Sequence, residues 1–168
     1  RLPSGPGQCL GMGLGIKLAS PERAVVCLVG DGSLLYNPVL PALGFAREHK
    51  LPLLVIVFNN GGYRSMAANH RSHYPQGVAA EHDIYAGEAL TGLDCAELAK
   101  LFRGVGLRVR NTKELRPALQ KAPDAVREGR TAIVNAELQG GPGDSGGPAR
   151  SDRRKAGNRL VGGHHVAK

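Results

Sequence analysis

The chain has 168 residues and a formal net charge of +8, enough for one domain that buries about 70% of its unfolded surface. Aromatic residues make up only 4% and Trp is absent, so Val, Leu, Ile and Ala must build the core. No apolar run approaches the ~20 residues that span a bilayer, no charged-then-apolar leader opens the chain, and Cys9, Cys27 and Cys95 are an odd set without C-x-x-C spacing; a cytoplasmic protein without disulfides is expected.

In chain order, the first element is the glycine-rich "GMGLGIKLA". It precedes a strand and fails G-x-G-x-x-G at Ile16, so it reads as a helix packed closely on the sheet or a cofactor, against a dinucleotide loop. The runs "AVVCLV" (24–29) and "PLLVIVF" (52–58) are continuous and apolar, as in parallel strands covered on both faces. Between them, Asn37-Pro38 supplies a cap and first-turn proline for a helix carrying Val39, Leu40, Leu43 and Phe45. Tyr63 to Thr91 reads as a connection far longer than the usual ~4–6 residues, the length of a binding loop, a lid or a disordered segment. Asp94 caps a helix with Glu97 three positions on and Leu98, Leu101 and Phe102 facing inward. "LRVR" (107–110) is a weaker strand. Thr112 opens a helix with Leu115, Leu119 and Val126, in which Pro123 predicts a kink or break. "TAIVNAE" (131–137) closes the regular alternation.

Strands alternating with helices through right-handed crossovers predict an α/β fold, a mostly parallel twisted sheet with helices on both faces over residues 1–138. Residues 139–168 form a second segment, Gly-rich and almost without apolar side chains, expected to be a disordered tail. It carries six Lys+Arg and two Asp, half of the excess charge. Arg153-Arg154-Lys155 has no stacking aromatics beside it, which argues against nucleic acid as a partner.

Two motifs stand at the carboxyl ends of the first two strands, where ligands bind in such sheets. Gly30-Asp31-Gly32-Ser33 follows one, Asn59-Asn60-Gly61-Gly62 follows the other, and 26 residues separate Gly32 from Asn59. That gap holds one crossover helix and one strand, which makes the turns neighbours. A carboxylate, a side-chain carbonyl and free main-chain groups suit Mg²⁺, which takes oxygen ligands and commonly bridges protein carboxylates to phosphates. The glycines let backbone approach a phosphate closely.

With "GDGS…FNNGGY", and with similarity continuing through "DCAELAKLFRGVGLRV" to "RTAIVNAEL", the chain resembles the thiamine-diphosphate-dependent enzymes of the acetolactate synthase, benzoylformate decarboxylase and pyruvate decarboxylase group, over about Gly7 to Leu138. Carried over, the resemblance implies thiamine diphosphate and Mg²⁺ as cofactors. Asp31, the Asn60 side-chain oxygen and the Gly62 carbonyl would be metal ligands; Gly32, Ser33 and the backbone around Tyr63 would hold the diphosphate. It implies a 2-oxo acid decarboxylase or carboligase that needs a complementary pyrimidine-binding domain carrying the catalytic glutamate, in a homo-oligomer. The first segment of the domain is expected to be missing, and Ser4-Gly5-Pro6-Gly7 places Pro6 where relatives carry a Leu or Met wedge. His70, His73, Arg71 and Tyr74 fall where relatives face substrate, although solvated loop histidines are the plainer reading. His164-His165 receives no role. The rival reading is a non-catalytic remnant or binding module whose basic tail contacts polyanions.

Overall fold

The computed structural model describes residues 6–85, 89, 90 and 92–138. Four parallel strands, β1 (Val26–Gly30), β2 (Leu54–Asn59), β3 (Val105–Val109) and β4 (Ala132–Glu137), form one sheet in the order β1-β2-β4-β3. Its register pairs Val26 with Leu54, Leu54 with Ala132 and Val105 with Ala132. The expected tail at 139–168, Ser4-Gly5 and His164-His165 lie outside the described residues.

The alternation of side chains along each strand divides the core in two. Cys27, Val29, Val55, Val57 and Ile133 pack against α1 (Cys9–Ala19), α3 (Val39–Glu48) and the short α6 (Glu97–Lys100). Leu54, Ala132, Val134 and Ala136 pack on the other face against α7 (Thr112–Arg127). Helices therefore cover both faces, as expected. Coverage is uneven: a helix about 10 Å wide spans two strands spaced ~4.8 Å apart, and α7 contacts mainly β3 and β4. Val26 and Leu28 of β1 are consequently 50% and 61% exposed, so the expectation of a strand buried on both faces fails for β1.

Helix α1 is the glycine-rich segment, and it packs on the sheet. An added Cβ at Gly13 would lie 2.5 Å from Cys27 Sγ; the missing side chain is what allows helix and strand to approach. Lys17 is buried, and its ammonium donates to the carbonyls of Pro21 and Arg23, both at 2.7 Å, which ties the helix end to the turn before β1.

Four expectations are corrected. Asn37 does not cap α3, whose side-chain cap is absent; its amide is buried and bonds elsewhere. The connection from Tyr63 contains α4 (Arg64–His73) and α5 (Val78–Glu81); only Ala67 of α4 is buried, so no apolar stripe marked the helix. Leu101 is 63% exposed because α6 is one turn long, and Cys95, Ala96 and Ala99 take the inward positions. Helix α7 runs unbroken through Pro117 and Pro123 and buries Ala118, Ala122 and Ala125, with Leu115 and Leu119 partly exposed. The carbonyls that these prolines leave without an intrahelical donor belong to exposed Lys113 and Leu119, on the solvent side of the helix, where the lost bond costs least.

Candidate functional site

The register pairs Gly30 with Phe58, so the chain leaves β1 and β2 side by side at the carboxyl edge. After Gly30 it turns at once into α2 (Asp31–Leu35), with Gly30 extended at the N-cap. Gly32 and Ser33 therefore lie in the first turn, whose N–H groups have no intrahelical acceptor. After Asn59 the chain passes through Gly61, whose φ of +76° is a left-handed conformation natural to glycine. The loop is pinned by a Leu90 N–H donating to the Gly61 carbonyl at 2.8 Å and by a bridge between Gly62 and Ala89.

Asp31 and Asn60 meet at Gly62. The Gly62 N–H donates to Asp31 Oδ2 at 3.0 Å and to Asn60 Oδ1 at 3.2 Å, so a carboxylate and a carboxamide oxygen converge on one atom. Asp31 is only 2% exposed, and no cation pairs with it among the described residues. A buried carboxylate with one N–H partner is costly until a cation joins it. Beneath it, burial pushes the Cys95 thiol up to about 11, helped by the negative charges of Asp31 and Asp94. The side-chain atoms that meet there are oxygens, Asp31 Oδ2 and Asn60 Oδ1, the donor type that hard divalent cations take; no group of three or more His, Cys, Asp and Glu gathers among the described residues.

The sequence-derived residues fall together. Asp31, Gly32, Ser33, Asn60, Gly62 and Tyr63 occupy the two adjoining turns. A Cβ on Gly32 would lie 2.8 Å from two Tyr63 ring carbons, so the ring covers the start of α2; it meets Tyr36 edge-on at 5.8 Å. His70 of α4 belongs to a separate cluster, packing against Tyr74 and Tyr85, with Arg71 over Tyr85 and paired with Asp83, whereas the His73 ring meets the Asn69 carbonyl of its own helix. A 240 Å³ cleft lined by Leu43, Phe102, Arg47 and Arg103 sits at the opposite edge, where α3 and α6 end; cations there answer the negative ends of those helices.

The roles of three residues escaped the sequence reading. Buried Asn37 accepts from the Leu10 N–H and donates to the Ser33 carbonyl, linking α1 to α2. Asn59 and Asn135 pair their amides under the second turn. The signal for Asn135 was a lone polar residue in an apolar strand.

The thiamine pyrophosphate enzyme C-terminal TPP binding domain matches residues 4–136. The chain is 32% identical over 127 residues to the acetolactate synthase isozyme 3 large subunit of Escherichia coli (strain K12), covering 76% of this chain and 21% of that one. It is 33% identical over 129 residues to the acetolactate synthase large subunit of Haemophilus influenzae, covering 71% and 20%. Among solved structures it superposes with a TM-score of 0.60 and 27% identity on the Rhodococcus jostii RHA1 thiamine diphosphate-dependent 4-hydroxybenzoylformate decarboxylase, over 78% of this chain and 22% of that one. The chain thus spans 20% to 21% of the length of these curated relatives.

Proposed function

The chain belongs to the thiamine pyrophosphate enzymes as their C-terminal TPP-binding domain, and on that premise we propose that its two glycine-flanked turns hold the diphosphate of thiamine diphosphate through Mg²⁺. The observation that carries this reading is Asp31, only 2% exposed and with no cationic side chain paired to it among the described residues, facing Asn60 Oδ1 across a shared Gly62 N–H.

In this reading Asp31, the Asn60 side-chain oxygen and the Gly62 carbonyl ligate Mg²⁺. One formal negative charge with two neutral oxygens leaves the ion positive toward the phosphates. The N–H groups of Gly32 and Ser33, with the backbone around Tyr63, would hold the diphosphate, and the Tyr63 ring stands over Gly32. When bound, the cofactor supplies a nucleophilic carbon for breaking and making bonds beside a carbonyl. This chain's part is to bind one end of it, fix its direction and neutralise its charge.

The substrate is a 2-oxo acid, undergoing decarboxylation or carboligation, and the reacting end meets a complementary pyrimidine-binding domain that carries the catalytic glutamate, in a homo-oligomer. Among the described residues no helix is long and apolar enough to cross a membrane; the cytoplasm is the proposed compartment.

Calorimetric titration tests the site: thiamine diphosphate binds the wild-type chain in Mg²⁺ and not in EDTA, and Asn60→Ala, which removes a ligand oxygen, weakens it at least about tenfold, the least that loss of even an outer-shell partner costs. Binding that ignores both Mg²⁺ and Asn60 sinks the assignment. CO₂ release from a 2-oxo acid on adding the complementary domain tests the chemistry; none from any 2-oxo acid rejects it.

A further inference from the structure

Asn135 is fully buried in the middle of β4, in register with Val57 of β2 and Arg108 of β3. Its Oδ1 accepts a hydrogen bond from Asn59 Nδ2 at 3.1 Å. That same Asn59 nitrogen donates to the Leu93 carbonyl at 3.0 Å, while Asn59 Oδ1 accepts from the Gly61 N–H at 3.0 Å. A main-chain carbonyl on one side and a main-chain N–H on the other leave Asn59 a single amide orientation, so Asn135 must present its oxygen. The Asn135 Nδ2 is then buried with no partner among the described residues.

An unsatisfied amide donor in the core is unfavourable, and leucine would pack there without it. Asn135 therefore works against stability at its own position. What it supplies is a link: Asn135 fixes Asn59, Asn59 fixes the Gly61 N–H, and Gly61 stands between Asn60 and Gly62, whose groups meet Asp31.

We propose that Asn135 is a positioning residue for the Asn60–Gly62 turn, holding that turn in its ligand-binding geometry through Asn59 without touching the ligand. The ligand-binding part rests on the reading of the turn as the Mg²⁺–diphosphate site; the positioning part does not.

Amide hydrogen exchange by NMR on the full chain, with no cofactor or metal added, is compared for wild type and Asn135→Leu. The expected result is Gly61 and Gly62 amides exchanging at least about tenfold faster, while Val55, Val57 and Val134 keep their protection, a local opening and not a global one. The variant melts at or above the wild-type temperature because the orphaned donor is gone. Unchanged exchange at Gly61 and Gly62, or equal loss across the sheet, overturns the proposal. If Asn135→Leu does not fold, Asn135→Ser, whose hydroxyl is too short to reach Asn59, is read the same way.

A calorimetric arm uses thiamine diphosphate with Mg²⁺ and expects about tenfold weaker binding in the variant, the scale of an outer-shell partner's effect. Faster Gly61 exchange in the variant with no binding even by wild type supports the positioning link and rejects the ligand reading. Equal binding and equal exchange in both proteins reject the link and leave the ligand reading standing.

Discussion

At the carboxyl edge of the sheet, Asp31, Asn37, Asn59 and Asn135 are buried, and their hydrogen bonds reach partners 27, 31 and 76 positions away. Along α7, Asn111, Glu114, Asp124 and Arg127 are exposed and bond within four positions of themselves. The second kind of polar group steadies its own helix and tolerates replacement. The first kind fixes the placement of separate elements, and it is kept despite the desolvation it suffers, because a geometry depends on it.

The largest test of this contrast uses the thiols buried at and near the site. Burial, then the neighbouring Cys9, pushes Cys27 from the ordinary 9.0 to about 12, and burial with the charges of Asp31 and Asp94 pushes Cys95 to about 11. Unfolded thiols ionise first, so stability is complete below pH 9 and falls as the pH rises toward 11, by about 1.4 kcal/mol per pH unit for each thiol. Urea unfolding at pH 8, 9 and 10 reads the slope, and Cys95→Ala makes it shallower. A flat wild-type profile would show that this edge is wet.

Next come the glycines of α1. Gly13→Ala drives a Cβ against Cys27 Sγ and costs about 1–3 kcal/mol, whereas Gly11→Ala, with nothing within 4 Å, gains about 0.5–1 kcal/mol from helix propensity. Melting temperatures moving the same way in both variants would contradict the close approach.

On α7 the expected effects are smaller. Asn111 accepts from the Lys113 and Glu114 N–H groups, and Asn111→Ala costs about 1 kcal/mol in denaturant titration. Glu114 accepts from the Arg110 N–H and the Asn111 amide. The Arg110 N–H foremost holds its carboxyl below the ordinary 4.5, so its contribution is present above that value and is lost as the pH falls through the lowered one. Glu114→Gln removes that acid limb. Arg127→Ala, which breaks an exposed pair with Asp124, changes stability by no more than about 0.5 kcal/mol; a larger loss would erase the distinction between the two regions.

Much of this fold was legible in the sequence. Continuous apolar runs located β1, β2 and β4 within two residues, and the two glycine-flanked motifs fixed both the turns and their adjacency. The illegible parts share a cause: they depend on contacts distant in sequence. Helix α4 has no apolar stripe, since Ala67 is its one buried residue. The exposure of Val26 and Leu28 depends on which strands α7 crosses. Asn37 carries a capping residue's signature, but packing of α1 against α2 gives its amide other partners. The site followed the same rule: Asp31 and Asn60 announce themselves by motif, whereas Asn59 and Asn135 acquire meaning only once β2 and β4 are paired.

The most direct measurement is a thermal melt of the chain with and without thiamine diphosphate plus Mg²⁺, beside Asp31→Ala. Ligand at about 100 times Kd adds ~2.7 kcal/mol, a rise of about 5–10 °C at ~2–4 °C per kcal/mol for this size. The account predicts that rise in wild type and its loss in a folded Asp31→Ala chain. An equal rise in the variant, or none in wild type, would contradict a diphosphate site built by this chain's own two turns.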